Sequence, residues 1–297
     1  MSNKRLQPNI ILGLVAIALI IKGFTSGEIA MIAIGMLLIL LSVSRAMLIK
    51  KFSNEEYDDI DTVDMITRYL QEDAVLYVEM LEVYTSGNGE VLYAENDGIL
   101  LYDTISFNYL ATAKNLAGAS DIVRLLPQDY GVFVAHDKIF QELEGKDFVF
   151  HNFLYSYNHV YESTQHVPLE NKEVEIRLLD EHYLEVIKQH YTIERLSTDA
   201  YILGRIKTGM FGAFINEQLA GFIGVHDSGP MGMLEVFDAY RGHKIAQTLQ
   251  AVLMNHLIEE GKRVFLQVNT TNEVSLYIQE KLKMTRAKNP CIWYFHK

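Results

Sequence analysis

The chain has little cysteine, proline or tryptophan, and it is short of positive charge. Its 297 residues include one Cys, five Pro and one Trp. The lone Cys291 excludes an internal disulfide and suits a reducing compartment, and no CxxC, HExxH or clustered His/Cys spacing predicts a metal site. The 26 Lys and Arg residues face 38 Asp and Glu residues, which gives a net charge of −12. Because cations drive nucleic-acid binding, we expect no nucleic-acid partner; an acidic body attracts cationic amines instead, or only keeps the protein soluble.

The charge is unevenly distributed along the chain. Residues 1–51 carry six cations against the single Glu28, a balance of +5, so the rest of the chain carries −17. Two uncharged apolar runs within residues 9–49 flank a short polar turn, and their bordering Lys and Arg can extend each run towards the roughly 20 residues of a membrane span. The pattern predicts a two-helix membrane hairpin over residues 1–50, with both termini and the remaining chain in the cytoplasm. A cleaved signal peptide is the alternative, although no small-x-small cleavage site follows the first run.

Residues 231–261 form the most informative stretch of the sequence. They predict a buried strand, a tight basic turn and an amphipathic helix. Apolar side chains and one His recur at helical spacing, namely Ile245, Leu249, Val252, Leu253, His256 and Leu257. A helix that starts at such a turn directs unpaired backbone N–H groups and the positive end of its dipole outward. That arrangement predicts an anion cradle suited to a diphosphate.

This stretch resembles the GNAT superfamily of N-acetyltransferases, in which a strand ending in Val precedes [Q/R]-x-x-G-x-[G/A] at the start of a helix. Val236, Arg241 and Ala246 match that pattern, whereas Lys244 stands where the family has Gly. The resemblance implies that the diphosphate belongs to acetyl-CoA, the acyl donor. The donor-binding residues that it implies here are Val236, Arg241, Gly242, His243, Lys244, Ile245 and Ala246.

A second family motif follows at the expected distance, in residues 265–284. Val268, Asn272, Ser275 and Lys281 fall on it. The resemblance implies that Asn272 and Ser275 meet the pantetheine arm or the 3′-phosphate end of the donor, and capping of the next helix by Asn272 is an equally open role. The general-acid Tyr of the family falls on Gln279. Tyr277 lies two residues earlier, roughly 200° around a helix, so it does not take that role.

The resemblance extends over residues 171–297 and implies an α/β fold with a mixed, GNAT-like sheet. Residues 61–170, after an acidic linker at 51–60, show the order hairpin, strand, helix, strand, helix, strand. That order mirrors the core of a GNAT half but lacks the basic turn. We therefore predict tandem GNAT-like domains preceded by the membrane hairpin, with a degenerate first domain that binds no donor of its own. An unrelated α/β domain is the alternative for 61–170.

Two side chains are candidates for acid–base chemistry. Glu235 sits in an apolar strand, where burial would raise the pKa of the carboxyl and make it a base for the attacking amine. The alternative interpretation is that Glu235 forms an ion pair with a structural Arg or Lys. His226 follows a strand at the mouth of the expected cleft and is a base or relay, or a surface-loop residue.

The sequence thus favours a membrane-anchored N-acyltransferase that moves an acetyl group from coenzyme A to a small-molecule or peptide amine by direct attack. Lys244, Gln279 and Lys283 depart from the family pattern and favour a second reading, a CoA-binding or regulatory module without turnover. An aminoacyl-tRNA-dependent transferase is a third reading, which the acidic body disfavours.

Overall fold

A computed structural model describes residues 60–143, 145, 152–193 and 196–296, together with residue 36. The chain divides into the units Met1–Val63 and Asp64–Lys297, and the fold below is that of the second unit. Apart from residues 36 and 60, the predicted membrane hairpin and the acidic linker lie outside the described residues. Within the described part, no helix is both long and apolar enough to cross a membrane.

The described elements alternate between helices and strands. The helices are α1 (Ile60–Gln71), α2 (Val78–Thr85), α3 (Leu116–Leu125), α4 (Leu184–His190), α5 (Asp199–Gly209), α6 (Ile245–Glu259) and α7 (Glu273–Lys281). The strands are β1 (Gly89–Glu95), β2 (Gly98–Asp103), β3 (Asn108–Ala113), β4 (Val132–Ala135), β5 (Asn152–Val160), β6 (Glu175–Leu178), β7 (Phe211–Ile215), β8 (Gln218–Val225), β9 (Met231–Val236), β10 (Phe265–Asn269), β11 (Thr285–Arg286) and β12 (Cys291–Phe295).

The strands form two sheets. The larger has the order β1-β2-β3-β4-β12-β5-β10, with β11 also paired to β5, and the smaller has the order β6-β7-β8-β9. Strands β3 and β4 are parallel and are connected through α3, whereas the other pairs of the described strands are antiparallel. The result is a mixed α/β architecture, as predicted, but the parallel pair lies within residues 61–170, whereas the sheet of β6 to β9 is antiparallel.

Strands β5 and β12 tie the two parts of the chain together. Strand β12, at the end of the sequence, lies between β4 and β5, so it completes the sheet built by residues 61–170. Strand β5 in turn pairs with β10, so it extends the sheet towards residues 171–297. The aromatic run of residues 148–161 predicts a long strand here, but the sequence does not predict this exchange, because pairing between distant strands leaves no local signal.

Turn chemistry explains the hairpin of β7 and β8. Asn216 and Glu217 have φ values of +47° and +63°, the left-handed pair of a type I′ turn between β7 and β8. The helical spacing of apolar residues after Asp61 predicts a single helix to about Tyr84, and this prediction is wrong, since α1 ends at Gln71 and α2 begins at Val78. Between them the carboxylate of Asp73 accepts a hydrogen bond from the backbone N–H of Leu76 at 3.0 Å, a local contact that competes with a continuous helix.

Candidate active site

The site lies where strands β9 and β10 separate. Each is the last strand of its own sheet, so the facing edges are not joined by ladder hydrogen bonds. A β-bulge in β9 helps to open the gap, because the register with β8 shifts between Phe222 and Gly224 and Met233 adopts φ +50°. The bulge places Met231, Leu234 and Val236 in the core under α6, and it turns Met233 towards the core under α4 and α5.

A cavity of about 660 Å³ fills this gap. Its wall comes from both strands, from the turn and first turns of α6, and from α7. The lining residues are Ile223, Met231, Gly232, Leu234, Glu235, Val236, Tyr240, Arg241, Gly242, Lys244, Ile245, Ala246, Gln247, Gln250, Leu266, Gln267, Asn272, Val274, Ser275, Tyr277 and Ile278. The cavity therefore brings the two sequence motifs together, and of the residues implied to bind the donor only His243 is missing from its wall.

The turn before α6 leaves the start of that helix open. Gly242 has φ +82°, and nothing lies within 4 Å of a Cβ built on it. Lys244 precedes the helix at φ +59°, the left-handed conformation that suits glycine, which agrees with the Gly of the family pattern. Its side chain makes no capping hydrogen bond, whereas Asn115 caps α3 and Asn272 caps α7. The first amides of α6 thus have no side-chain acceptor and face the cavity wall.

The residues just before β6 brace this turn from outside. The Lys244 ammonium pairs with the Glu170 carboxylate at 2.9 Å, so it does not point freely at the cavity. Asn171 donates from its side-chain amide to the His243 carbonyl oxygen at 3.0 Å and from its backbone to Thr248 Oγ1 at 3.0 Å. These contacts fix the backbone of the turn.

Arg241 and Glu235 form an ion pair at the cavity mouth. The guanidinium lies 3.4 Å from Glu235 Oε1 and 2.8 Å from Asp238 Oδ1, and its Nε donates to the Val236 carbonyl at 3.2 Å. The expectation that Glu235 is buried is wrong, because its side chain is 30% exposed. The structure shows the alternative that the sequence left open, an ion pair of Glu235 with Arg241. The carboxylate nevertheless lines the cavity.

His226 stands on the other side of β9 and does not line the cavity itself. Its Nδ1 lies 2.7 Å from the hydroxyl of Tyr201 on α5. Burial, and then the positive charge of Arg205, lower the pKa of the imidazole to about 4. Arg205 is itself paired with Asp227 at 2.5 Å. His226 is therefore neutral at physiological pH.

Helix α7 closes the far wall. Asn272 caps it, with Oδ1 accepting from the backbone N–H of Ser275 at 3.0 Å, and both residues line the cavity. Gln279, at the position of the family general acid, is fully buried and donates to Ser275 Oγ at 3.4 Å. Tyr277 is 55% exposed and stands at the cavity wall.

Two glutamines complete the wall, and the sequence does not single them out. Gln250 on α6 is 3% exposed, and its Oε1 is buried without a hydrogen-bond partner; Nε2 of Gln267 on β10 is likewise buried and unpartnered. Buried polar atoms are nearly always hydrogen-bonded, so one free acceptor and one free donor on the same cavity indicate a ligand with both groups. A polar residue among apolar neighbours in α6 is the one sequence signal that points to Gln250.

Among the residues that the structure describes, no group of three or more His, Cys, Asp or Glu side chains is arranged to hold a metal ion.

Comparison with known proteins agrees with this geometry. Residues 175–282 match the Acetyltransferase (GNAT) family. A Drosophila protein solved by the Northeast Structural Genomics Consortium superposes with a TM-score of 0.58 at 11% identity, over 80% of this chain and 95% of that one. A GCN5-related N-acetyltransferase from Kribbella flavida superposes with a TM-score of 0.50 at 9% identity, over 75% of this chain and 95% of that one. No curated protein matches the sequence. At these identities the structures show the fold alone, and the family match shows that residues 175–282 are similar to GNAT acetyltransferase domains.

Proposed function

We propose that the protein is an N-acyltransferase that moves an acetyl group from coenzyme A to a primary amine. The observation that carries this proposal is the open seam between β9 and β10, with a cavity of about 660 Å³ and the uncapped start of α6 at its wall. The match of residues 175–282 to an acetyltransferase family supports it.

The residues of the cavity fit a CoA thioester. The free amides of α6, from Ile245 to Gln247, are placed to hold a diphosphate, with Arg241 beside them. Gln250 and Gln267 offer the acceptor and the donor that an amide of the pantetheine arm requires. The bound donor supplies an activated acyl group, and the unpaired edge of β9 near Val236 supplies backbone groups to hold it in place.

Glu235 is the residue we assign to remove the proton of the acceptor ammonium. It lines the cavity, and Arg241 fixes the direction of its carboxylate. The nitrogen, once deprotonated, attacks the thioester carbonyl, and the sulfur leaves as the C–S bond breaks. Gln279 has no acidic proton to give, so in this chain the leaving thiolate takes its proton from the amine or from solvent.

Residues 61–170 fit a degenerate GNAT-like half. Their elements from α1 to β4 follow the same order as those from α4 to β10, but β3 and β4 are hydrogen-bonded to each other where β9 and β10 part. At the start of α3, Asn115 caps the Gly118 amide, and a Cβ on Gly118 would lie 2.9 Å from an Asp97 carboxylate oxygen. Because β3 and β4 are paired and the start of α3 is capped and lies against the Asp97 carboxylate, this half has no open site for a CoA donor.

A membrane hairpin at residues 1–50 remains part of the proposal, with the catalytic domain on the cytoplasmic face of the cell membrane. It is supported by the apolar runs and flanking cations of the sequence. In spheroplasts, added protease should spare the catalytic domain and reach it only after lysis. Cleavage of that domain in intact spheroplasts would contradict this topology.

A CoA-binding module without turnover is the second candidate, and two contacts favour it. Lys244 is tied to Glu170 rather than aimed into the cavity, and Gln279 replaces the family acid. Binding of acetyl-CoA without transfer to any amine of a broad panel would support this candidate.

Calorimetric titration of the full-length protein in detergent with acetyl-CoA tests the donor site. We expect binding in the micromolar range, weakened at least about tenfold by Arg241→Glu, since a charge-assisted hydrogen bond contributes about 1.5–3 kcal/mol. Arg124→Glu is the matched control, because it reverses the same charge on a similarly exposed residue of α3. Absence of binding, or equal loss in both variants, would refute the donor site.

A further inference from the structure

The side of β9 opposite α6 carries a polar group that the donor site does not use. The ring of His226 lies directly against Gly232, since a Cβ built there would stand 2.1 Å from its Nε2. Gly232 is also part of the cavity wall, and it is the one residue of β9 without a side chain. The missing side chain therefore lets the Nε2 edge of the imidazole reach the wall of the cavity.

The partners of His226 decide which nitrogen carries its proton. The hydroxyl of Tyr201 lies 2.7 Å from Nδ1, and either atom can be the donor of that hydrogen bond. With the phenol as the donor to Nδ1, the proton of the neutral ring sits on Nε2. His226 then presents an N–H donor at Gly232, and its lone pair is occupied.

The charges around the ring keep it in this state. Arg205, from the same helix as Tyr201, faces the imidazole and opposes its protonation, and Asp227 balances the guanidinium. Burial acts in the same direction and lowers the pKa of His226 to about 4. In this tautomer the imidazole is a hydrogen-bond donor, whereas the sequence left the roles of base, relay and surface-loop residue open.

We propose that His226, held by Tyr201, is a hydrogen-bond donor that selects acceptors carrying an oxygen several bonds from the reacting amine, such as an amide carbonyl or a hydroxyl. This inference rests on the proposed function and names the acceptor class for the same site. Glu235 and Gly232 are three residues apart on a bulged strand, about 10 Å at most, so nitrogen and oxygen of one acceptor can meet both groups. Tyr201 and Gly232 are positioning residues. Tyr201 orients the imidazole ring, and Gly232 leaves the space that the ring occupies.

Nitrogen-15 NMR of the histidine rings in the full-length protein tests the proposal without turnover, with His226→Gln used to assign the signal. We expect the Nε2–H tautomer at pH 7 and no titration above pH 5. Tyr201→Phe should shift the ring towards a mixture of tautomers. A ring that titrates near 6.5, or one protonated at Nδ1, would overturn the assignment.

Two amines of equal size probe the acceptor class, 4-aminobutanamide and 4-methylpentylamine, which lacks the oxygen. Only the amide should move the Nε2–H resonance, and its preference over the alkylamine in binding should fall about tenfold in His226→Ala, because about 1.4 kcal/mol of hydrogen bonding is lost. His226→Gln keeps an N–H donor and should retain most of the preference. Equal response to both amines would overturn the proposal. Acetyl-CoA titration of the same samples separates the two failures, since it reports on the donor site alone.

Discussion

Replacing Lys244 with glycine should stabilise the protein even though it removes an ion pair. The left-handed backbone of Lys244, at φ +59° and ψ +20°, costs a residue that has a Cβ about 1 kcal/mol or more. Its ion pair with Glu170 joins side chains that are 60% and 42% exposed, and such pairs contribute about 0.5 kcal/mol or less. The relief of strain exceeds the loss, so the unfolding midpoint should rise by about 1–3 °C.

Lys244→Ala is the matched control for that experiment, because it breaks the same ion pair and keeps the Cβ. Thermal unfolding of the three proteins in low and high salt separates the two effects, since salt screens only the ion pair. We expect the glycine variant to exceed the alanine variant by about 1 kcal/mol at both salt concentrations. If alanine is as stable as glycine, the left-handed backbone is not a source of strain and the reasoning fails.

Three further predictions concern the fold. Burial raises the pKa of Glu79 to about 8, so the folded state keeps a proton that the unfolded chain loses near the ordinary value of 4.5, and the free energy of unfolding should fall as the pH rises between these values. Glu79→Gln should remove this dependence between pH 6 and 8 in urea unfolding, and an unchanged pH dependence in the variant would contradict the prediction. Asn272→Ala should lower the free energy of unfolding by about 1 kcal/mol in thermal unfolding, because it removes the cap of α7, and Asn272→Ser should restore most of it. An alanine variant as stable as the parent would contradict a stabilising cap. Gly221→Ala should displace β9 and weaken acetyl-CoA binding, because its Cβ would lie 2.5 Å from the Glu235 carbonyl oxygen; Gly204→Ala in α5, which meets nothing within 4 Å, should bind normally.

The donor side of the site could be predicted from the sequence because its signals are local. The turn at Gly242, the start of α6 and the cap at Asn272 each depend on neighbours within a few residues, and each lies where the spacing places it. Even the departure at Lys244 is informative, since the structure keeps the left-handed backbone that a glycine there would adopt without strain.

The acceptor side could not be predicted in the same way, because its residues meet through tertiary packing. Glu235 lies in an apolar strand, but it is at the open edge of a sheet and so remains partly exposed. His226 owes its protonation state to Tyr201 and Arg205, which come from a helix some twenty residues earlier. Gln250 and Gln267 become notable only when their polar atoms prove to be buried without partners.

The exchange of β5 and β12 has a consequence for the order in which the protein folds during synthesis. Strand β4 has β12 as its neighbour on one side, and β12 is made only after the whole of residues 171–290. The first half therefore emerges with an open edge between β4 and β5, and that edge stays unpaired until β12 has been made. Contacts of such long sequence separation slow folding and expose strand edges to wrong partners. A chain that lost only β12 would thus damage the half that was made first.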